Sequence, residues 1–311
     1  MYNEYPDLIY EGLMYDLNNL EISTESFNLK EKLSSFFKKI KNFLIKIKDK
    51  FIEKVKALKN WLVNIPHNLK DKAVDWLLQQ MQIRGKYYNT NTTMNFFSSD
   101  INRLMEIDNY IEEYKKLLDA ILQSFSKGEN PLDASSENNI GEKYSANIEK
   151  FKDFFNEFKY LSGDDSTRYF VGFNNVLRDR QGKVIEEDNN VMIITKKVFD
   201  LDKKIIEYIS KYNFDEKINK IIKSFNEMES MFNTEFTKYQ DNKEFNHAVK
   251  TIINGLKFIT NRSTTILSKT LSIISKISSI CKSHIELVKE HTFSKRLTPE
   301  GYKKHKSRGI E

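Results

Sequence analysis

The sequence predicts a mostly α-helical protein, an elongated bundle of long helices with a small antiparallel β insert. The 311 residues include only 10 Gly and 4 Pro, too few for the tight turns of a β-sandwich, while 30% are charged. Hydrophobic residues reach 39% and aromatics 13%, with 22 Phe and 15 Tyr, enough for a core despite a mean hydropathy of −0.59. Apolar residues recur at spacings of three and four along most of the chain, the period of a helix with one buried stripe.

Residues 1–26 form an acidic leader. Residues 27–128 form an N-terminal helical region that opens with the most regular stripe in the chain: Leu29, Leu33, Phe36, Ile40, Leu44, Ile47, Phe51, Val55, Leu58 and Leu62. Ser26 is the candidate N-cap, and Pro66 ends the pattern because the residue before a proline is pushed out of the helical region. A shorter helix over Leu69–Ile83 carries Trp76, and the Asn- and Thr-rich stretch from Gly85 to Thr93 reads as a loop. Ile101, Leu104, Ile107, Ile111, Tyr114, Leu118, Ile121 and Phe125 mark the next helix, beginning after Asp100 and stopping near Gly128.

Pro131 and a Ser/Asn-rich run make residues 129–144 a linker. The second helical region, 145–290, starts with a helix over Ser145–Leu161 and then changes period. Tyr169–Phe173, Val184–Ile185 and Val191–Ile194 favour strand, and Asp179–Arg180–Gln181–Gly182 signals a turn, so 169–195 is assigned as the β insert. Helices resume over Val198–Tyr212, Phe214–Tyr239 and Asn242–Glu290. The last carries an approximate heptad seam of coiled-coil type (Ile252, Leu256, Ile259, Ile266, Ile273, Ile277, Ile280, Leu287). Its segment Ile252–Ile280 has few charges, which predicts burial by neighbouring helices or by self-association with another subunit. Residues 291–311 read as a mobile basic tail.

Charge is unevenly placed. The leader holds Glu4, Asp7, Glu11, Asp16, Glu21 and Glu25 and no base, a net of −6, whereas Lys30–Lys59 holds eleven lysines against Glu31, Asp49 and Glu53, a net of +8. The lysines at the centre of this block are Lys38, Lys39, Lys41, Lys46, Lys48, Lys50, Lys54 and Lys56. Three readings fit: a packed helix with a solvated lysine face, a site for a polyanion such as double-stranded DNA, and an interfacial helix on an anionic membrane surface. No sequence-reading motif accompanies the charge.

Searching for chemistry gives little. Cys281, the single cysteine, permits no intrachain disulfide and no thiolate zinc site; on its Ser-rich helix it reads as a small buried side chain. His284 and His291 lie seven apart without an H-E-x-x-H pair, and Glu286 and Glu290 between them read as solvent-facing. Glu112–Glu113 and Glu186–Glu187 read as surface carboxylates. No phosphate loop appears, so the expectation is a protein without catalytic apparatus, metal or cofactor. No window reaches the roughly 18 uncharged apolar residues of a membrane span, and Met1–Tyr10 is acidic where a secretory leader would begin basic.

The leader Met1-Tyr-Asn-Glu-Tyr-Pro-Asp-Leu-Ile-Tyr-Glu-Gly12 resembles the capsid-targeting leaders of internal head proteins in large contractile-tailed phages of the T-even type and in jumbo phages. In that family the leader packages the protein with the scaffold core, and a prohead protease cuts after a glutamate two positions beyond Ile or Leu, or beyond a small residue in jumbo phages. Ile9-Tyr10-Glu11 before Gly12 and Ser23-Thr24-Glu25 before Ser26 are similar to such sites. The resemblance covers less than a tenth of the chain, and Ile111-Glu112-Glu113, Ile140-Gly141-Glu142 and Ile185-Glu186-Glu187 share the tripeptide form; position supplies its weight. It implies a non-enzymatic virion protein, assembled in the host cytoplasm, enclosed in the capsid with double-stranded DNA and ejected with it, with the prohead protease and scaffold core as partners. The alternatives are a membrane-active helical protein and an oligomeric scaffold or adaptor.

Overall fold

The structure, a computed structural model, describes residues 26–63, 78, 84–128, 140–161, 191–239 and 242–293. In chain order these form α1 (Ser26–Val63), β1 (Arg84–Lys86), α2 (Thr90–Phe96), a π turn (Phe97–Ile101), α3 (Asn102–Leu104), α4 (Ile107–Ser126), α5 (Ile140–Asn156), β2 (Val191–Ile193), α6 (Lys196–Lys211), α7 (Phe214–Tyr239) and α8 (Lys243–Phe293). The predicted class holds: the chain is mostly α-helical with one two-stranded antiparallel sheet. Two compact units share it, Met1–Ile52, Ser99–Ser162 and Asn213–Leu271 in the first and Glu53–Ser98, Gly163–Tyr212 and Ser272–Glu311 in the second.

In the first unit α1 buries the expected stripe from Leu33 to Phe51. Leu33, Phe36, Phe37, Ile40, Phe43, Leu44, Ile47 and Phe51 are all buried. Phe37 packs on Phe225 and Phe232 of α7, and Phe51 stacks on Phe214 with 4.4 Å between ring centroids. α4 lies against α7 and α5. Its seam with α7 is ionic: Lys217 bonds both carboxylate oxygens of Asp108, Ser224 donates to Glu112, and Lys115 joins Glu112 to Glu227. Glu112 is therefore an inter-helix partner rather than a plain surface carboxylate. Two tyrosines reach α8: Tyr114 donates to the carbonyl of Ile252 (2.6 Å) and Tyr144 to that of Thr251 (2.8 Å). An added Cβ on Gly255 would collide with the Tyr144 hydroxyl, so glycine is what lets α5 approach.

Several sequence boundaries need correction. Residues 140–144, assigned to the linker, are the first turns of α5. That helix stops at Asn156 instead of Leu161 because the following turn is held from outside: buried Asp100 accepts the Tyr160 amide (2.9 Å), Arg103 bonds the carbonyl and carboxylate of Glu157, and Lys269 donates to the carbonyl of Leu161. Gly85–Thr93 is not a loop. Its start is β1, and Asn89 caps α2 by accepting the Thr92 amide, turning an Asn/Thr cluster into a helix start. Between Phe97 and Ser126 the expected single helix is a π turn, a short α turn and a restart at Ile107. Ser26 is the first helical residue of α1 rather than a flanking cap.

The β insert is corrected in its pairing. Val191–Ile193 is a strand, and its partner is Arg84–Lys86, with Gly85 opposite Met192. Residues 162–190, including the Asp179–Gly182 turn, lie outside the described residues, as do the leader through Glu25, Pro66, Trp76 and residues 294–311. The helix expected over Leu69–Ile83 is described only at Leu78, which is buried. α6 begins at Lys196, where Thr195 caps it through the Val198 amide, and α7 has the predicted bounds.

α8 is one helix of 51 residues, unbroken at Gly255 and Arg262. Ile252, Leu256, Ile259, Ile266, Ile273, Ile277 and Ile280 are buried within the single chain, with Leu287 half-buried. The helix runs through His291–Phe293, so the assigned tail begins inside it.

Candidate functional site

The lysine set lies on α1, and the packing of that helix sorts it. With the phenylalanine stripe turned inward, Lys38, Lys39, Lys46 and Lys56 are exposed, while Lys41, Lys48, Lys50 and Lys54 are half-buried at the edges of the stripe. Two edge lysines meet groups on α7. Lys41 bonds Glu229 at 2.5 Å, and Lys48 donates to Asn219 at 3.1 Å with the Asp215 carboxylate 4.0 Å away. Such part-exposed pairs contribute little stability and are screened by salt, but they neutralise the lysines they hold. The sequence treats the eight lysines as one block; the structure divides them by helical angle. Ile45 and Ile52, at 41% and 40% exposure, stand on the outer face with the exposed lysines. The cleavage residues Glu11, Gly12 and Glu25 lie outside the described residues; Ser26 is described in its backbone, at the start of α1.

A second constellation, in the other unit, was hidden from motif searching. His284 and Asp202 are both fully buried, and the ring Nδ1 meets the Asp202 Oδ2 at 2.9 Å while Nε2 meets the Lys86 carbonyl at 2.5 Å. The ring thus bridges the Asp202 carboxylate and the β1 backbone, with both of its nitrogens engaged. The other Asp202 oxygen accepts the Tyr88 hydroxyl at 2.6 Å, and the buried Cys281 thiol feels the charge of the same carboxylate. Burial first, and the Asp202 charge second, hold the Tyr88 phenol far above its ordinary titration range and the Cys281 thiol well above its own. An added Cβ on Gly85 would stand 2.6 Å from the His284 ring, so glycine is required where β1 passes the imidazole.

This cluster ties β1, the segment after it, α6 and α8 together. Both ring nitrogens are engaged by protein oxygens, and the thiol is buried and held protonated. Among the described residues no group of three or more His, Cys, Asp or Glu is placed to hold a metal ion. A sequence signal for it exists in the helical register: Asp202 falls on the buried stripe of Val198, Phe199, Ile205, Ile206 and Ile209, and His284 among Ile277, Ile280, Cys281, Ile285 and Val288. A charged residue in an apolar register implies a buried partner. The partner's identity is not local information.

Among the described residues no helix is long and apolar enough to cross a membrane. Comparison of the chain with family models, with curated proteins and with solved structures gives no match to any of them.

Proposed function

We propose that this chain is a non-enzymatic internal virion protein of a large tailed phage that binds double-stranded DNA without sequence preference through the outer face of α1. The observation that carries the binding half is the sorting of the lysines: in the first unit the helix spends its apolar face on the core and leaves Lys38 and Lys46 exposed on the other side. A row of lysines at helical spacing matches a phosphate backbone in charge and needs no base contact, because affinity comes from counterion release. The virion half rests on the leader resemblance.

Removing residues 1–25 deletes six acids and no base, raising the side-chain charge from +6 to +12; cutting after Glu11 gives +9. Affinity for DNA therefore rises on processing and falls steeply with added salt. The test is fluorescence anisotropy with a labelled random-sequence duplex over a salt series, together with the intact mass of the protein from its natural particle. Replacing Lys38, Lys39, Lys41 and Lys46 by Gln should weaken binding and flatten its salt dependence. Equal affinity for this variant and the parent, or an intact Met1 terminus in mature particles, would return the protein to the scaffold reading. Leakage of anionic vesicles without DNA binding would favour the membrane reading.

A further inference from the structure

The second unit carries a basic face of its own, on α6. Lys197, Lys204, Tyr208 and Lys211 follow one another at intervals of seven, four and three residues, so they share one line of the helix, turned away from the buried Phe199, Ile205, Ile206 and Ile209. All four are exposed. The line runs about 21 Å from Lys197 to Lys211. Among the described residues none of its three lysines makes an ion pair or a side-chain hydrogen bond. Lys203, off this line, lies instead over the Phe199 ring at 4.6 Å, and Asp200 and Glu207 fall to one side.

Tyr208 sets this face apart from α1. Among the described residues it is the aromatic side chain most open to solvent, at 41%. Its ring is propped from behind by Phe97 and Tyr212, each 6.3 Å away between ring centroids, and the Tyr212 hydroxyl donates to the Phe97 carbonyl at 3.2 Å. Phe97 is itself buried, so the exposed ring stands on fixed packing. Lys204 lies one turn before Tyr208 and Lys211 one turn after, about 6 Å and 4.5 Å along the axis. A ring between two cations matches a base between two phosphates. Duplex bases cover each other's faces and leave the ring nothing to stack on, whereas a single strand offers them. The outer face of α1 has lysines beside Ile45 and Ile52, which is charge without a stacking platform.

We propose that the outer face of α6 binds single-stranded nucleic acid, one base stacking on the Tyr208 ring while Lys197, Lys204 and Lys211 take the phosphates around it. The site uses other residues than the α1 lysines and does not rest on duplex binding by α1.

The test uses the full chain and fluorescence anisotropy at low salt, with a labelled thymidine 12-mer, a uridine 12-mer and a 12-base-pair duplex. Every variant is also made together with Lys38→Gln and Lys46→Gln, which removes the α1 contribution and keeps the two readings apart. Tyr208→Ala is expected to weaken binding of the single strands about ten-fold and to leave the duplex within about two-fold, while Tyr208→Phe, which keeps the ring, binds as the parent does. The same loss with either strand supports the site, and the tighter of the two names the strand. Lys204→Gln with Lys211→Gln leaves the ring packing untouched and should flatten the single-strand salt slope by about 1.4. No binding of either 12-mer by the parent chain overturns the proposal. So does an unchanged single-strand affinity in Tyr208→Ala, an equal loss on the duplex, a Phe variant as weak as the Ala variant, or an unchanged slope in the lysine pair. Loss of binding to phosphatidylserine vesicles in Tyr208→Ala with the 12-mers unaffected would overturn it in favour of a lipid surface.

Discussion

Replacing Asp202 by alanine removes the group on which the Tyr88 hydroxyl and the His284 ring converge. What remains is a ring nitrogen and a phenol that are both buried and both without the carboxylate they shared, and each buried polar group left unpaired costs about 1–3 kcal/mol. Tyr88→Phe is milder. It removes a 2.6 Å hydrogen bond but leaves the carboxylate against the His284 ring, so the expected loss is about 1 kcal/mol. In the double variant the Phe change should cost almost nothing, because the hydroxyl has already lost its acceptor, giving a coupling of about 1 kcal/mol or more. Urea unfolding of the full chain measures these differences, and a loss of about 4 kcal/mol moves the midpoint by more than about 1 M at a slope of 1–3 kcal/mol/M. Amide exchange at β1 locates the effect, since the Lys86 carbonyl is the ring's other partner. Strict additivity of the two changes, or an Asp202→Ala loss below about 1 kcal/mol, would refute the convergent network.

Alkali should destabilise the fold through two groups of this cluster and two further buried tyrosines. The thiol of Cys281 and the phenols of Tyr88, Tyr114 and Tyr144 are all raised in the folded state, chiefly by burial, so the unfolded chain gives up those protons first. Stability from them is complete below the ordinary values of 9.0 for the thiol and 10.0 for the phenols, and falls above each by about 1.4 kcal/mol per pH unit per proton. A flat urea midpoint between pH 9 and 11 would contradict this, as would rapid reaction of Cys281 with a thiol reagent in the native protein. Gly255→Ala should destabilise by about 1–3 kcal/mol despite alanine's better helix propensity, because the Tyr144 hydroxyl it meets is fixed on the Thr251 carbonyl; in a Tyr144→Ala background the same change should be neutral or stabilising. Removing Lys38 and Lys46 together should lower the slope of log affinity for DNA against log salt by nearly 2, whereas Lys41→Gln with Lys48→Gln lowers it less, since α7 acids already share those charges. Equal slopes for the two pairs would show that the packing does not sort the lysines.

The helices were legible because helical periodicity is local: each turn repeats its burial pattern within four residues, so α1, α7 and the 51-residue α8 can be read by spacing alone. The same locality made Cys281 readable as a small buried side chain. Boundaries failed where a distant group decides them. α5 ends early because Asp100, Arg103 and Lys269 hold the turn after it, and α2 exists where Asn and Thr suggested a loop because one asparagine caps it. The sheet shows the limit most sharply. Its strands are three residues each and lie about a hundred residues apart in sequence, so neither carries a pattern that names the other. The Asp202–His284–Tyr88 cluster has the same character: the sequence marks an acid and a histidine in apolar registers, which demands partners. Only the tertiary structure, by bringing β1, α6 and α8 together around Gly85, decides that they are partners of each other.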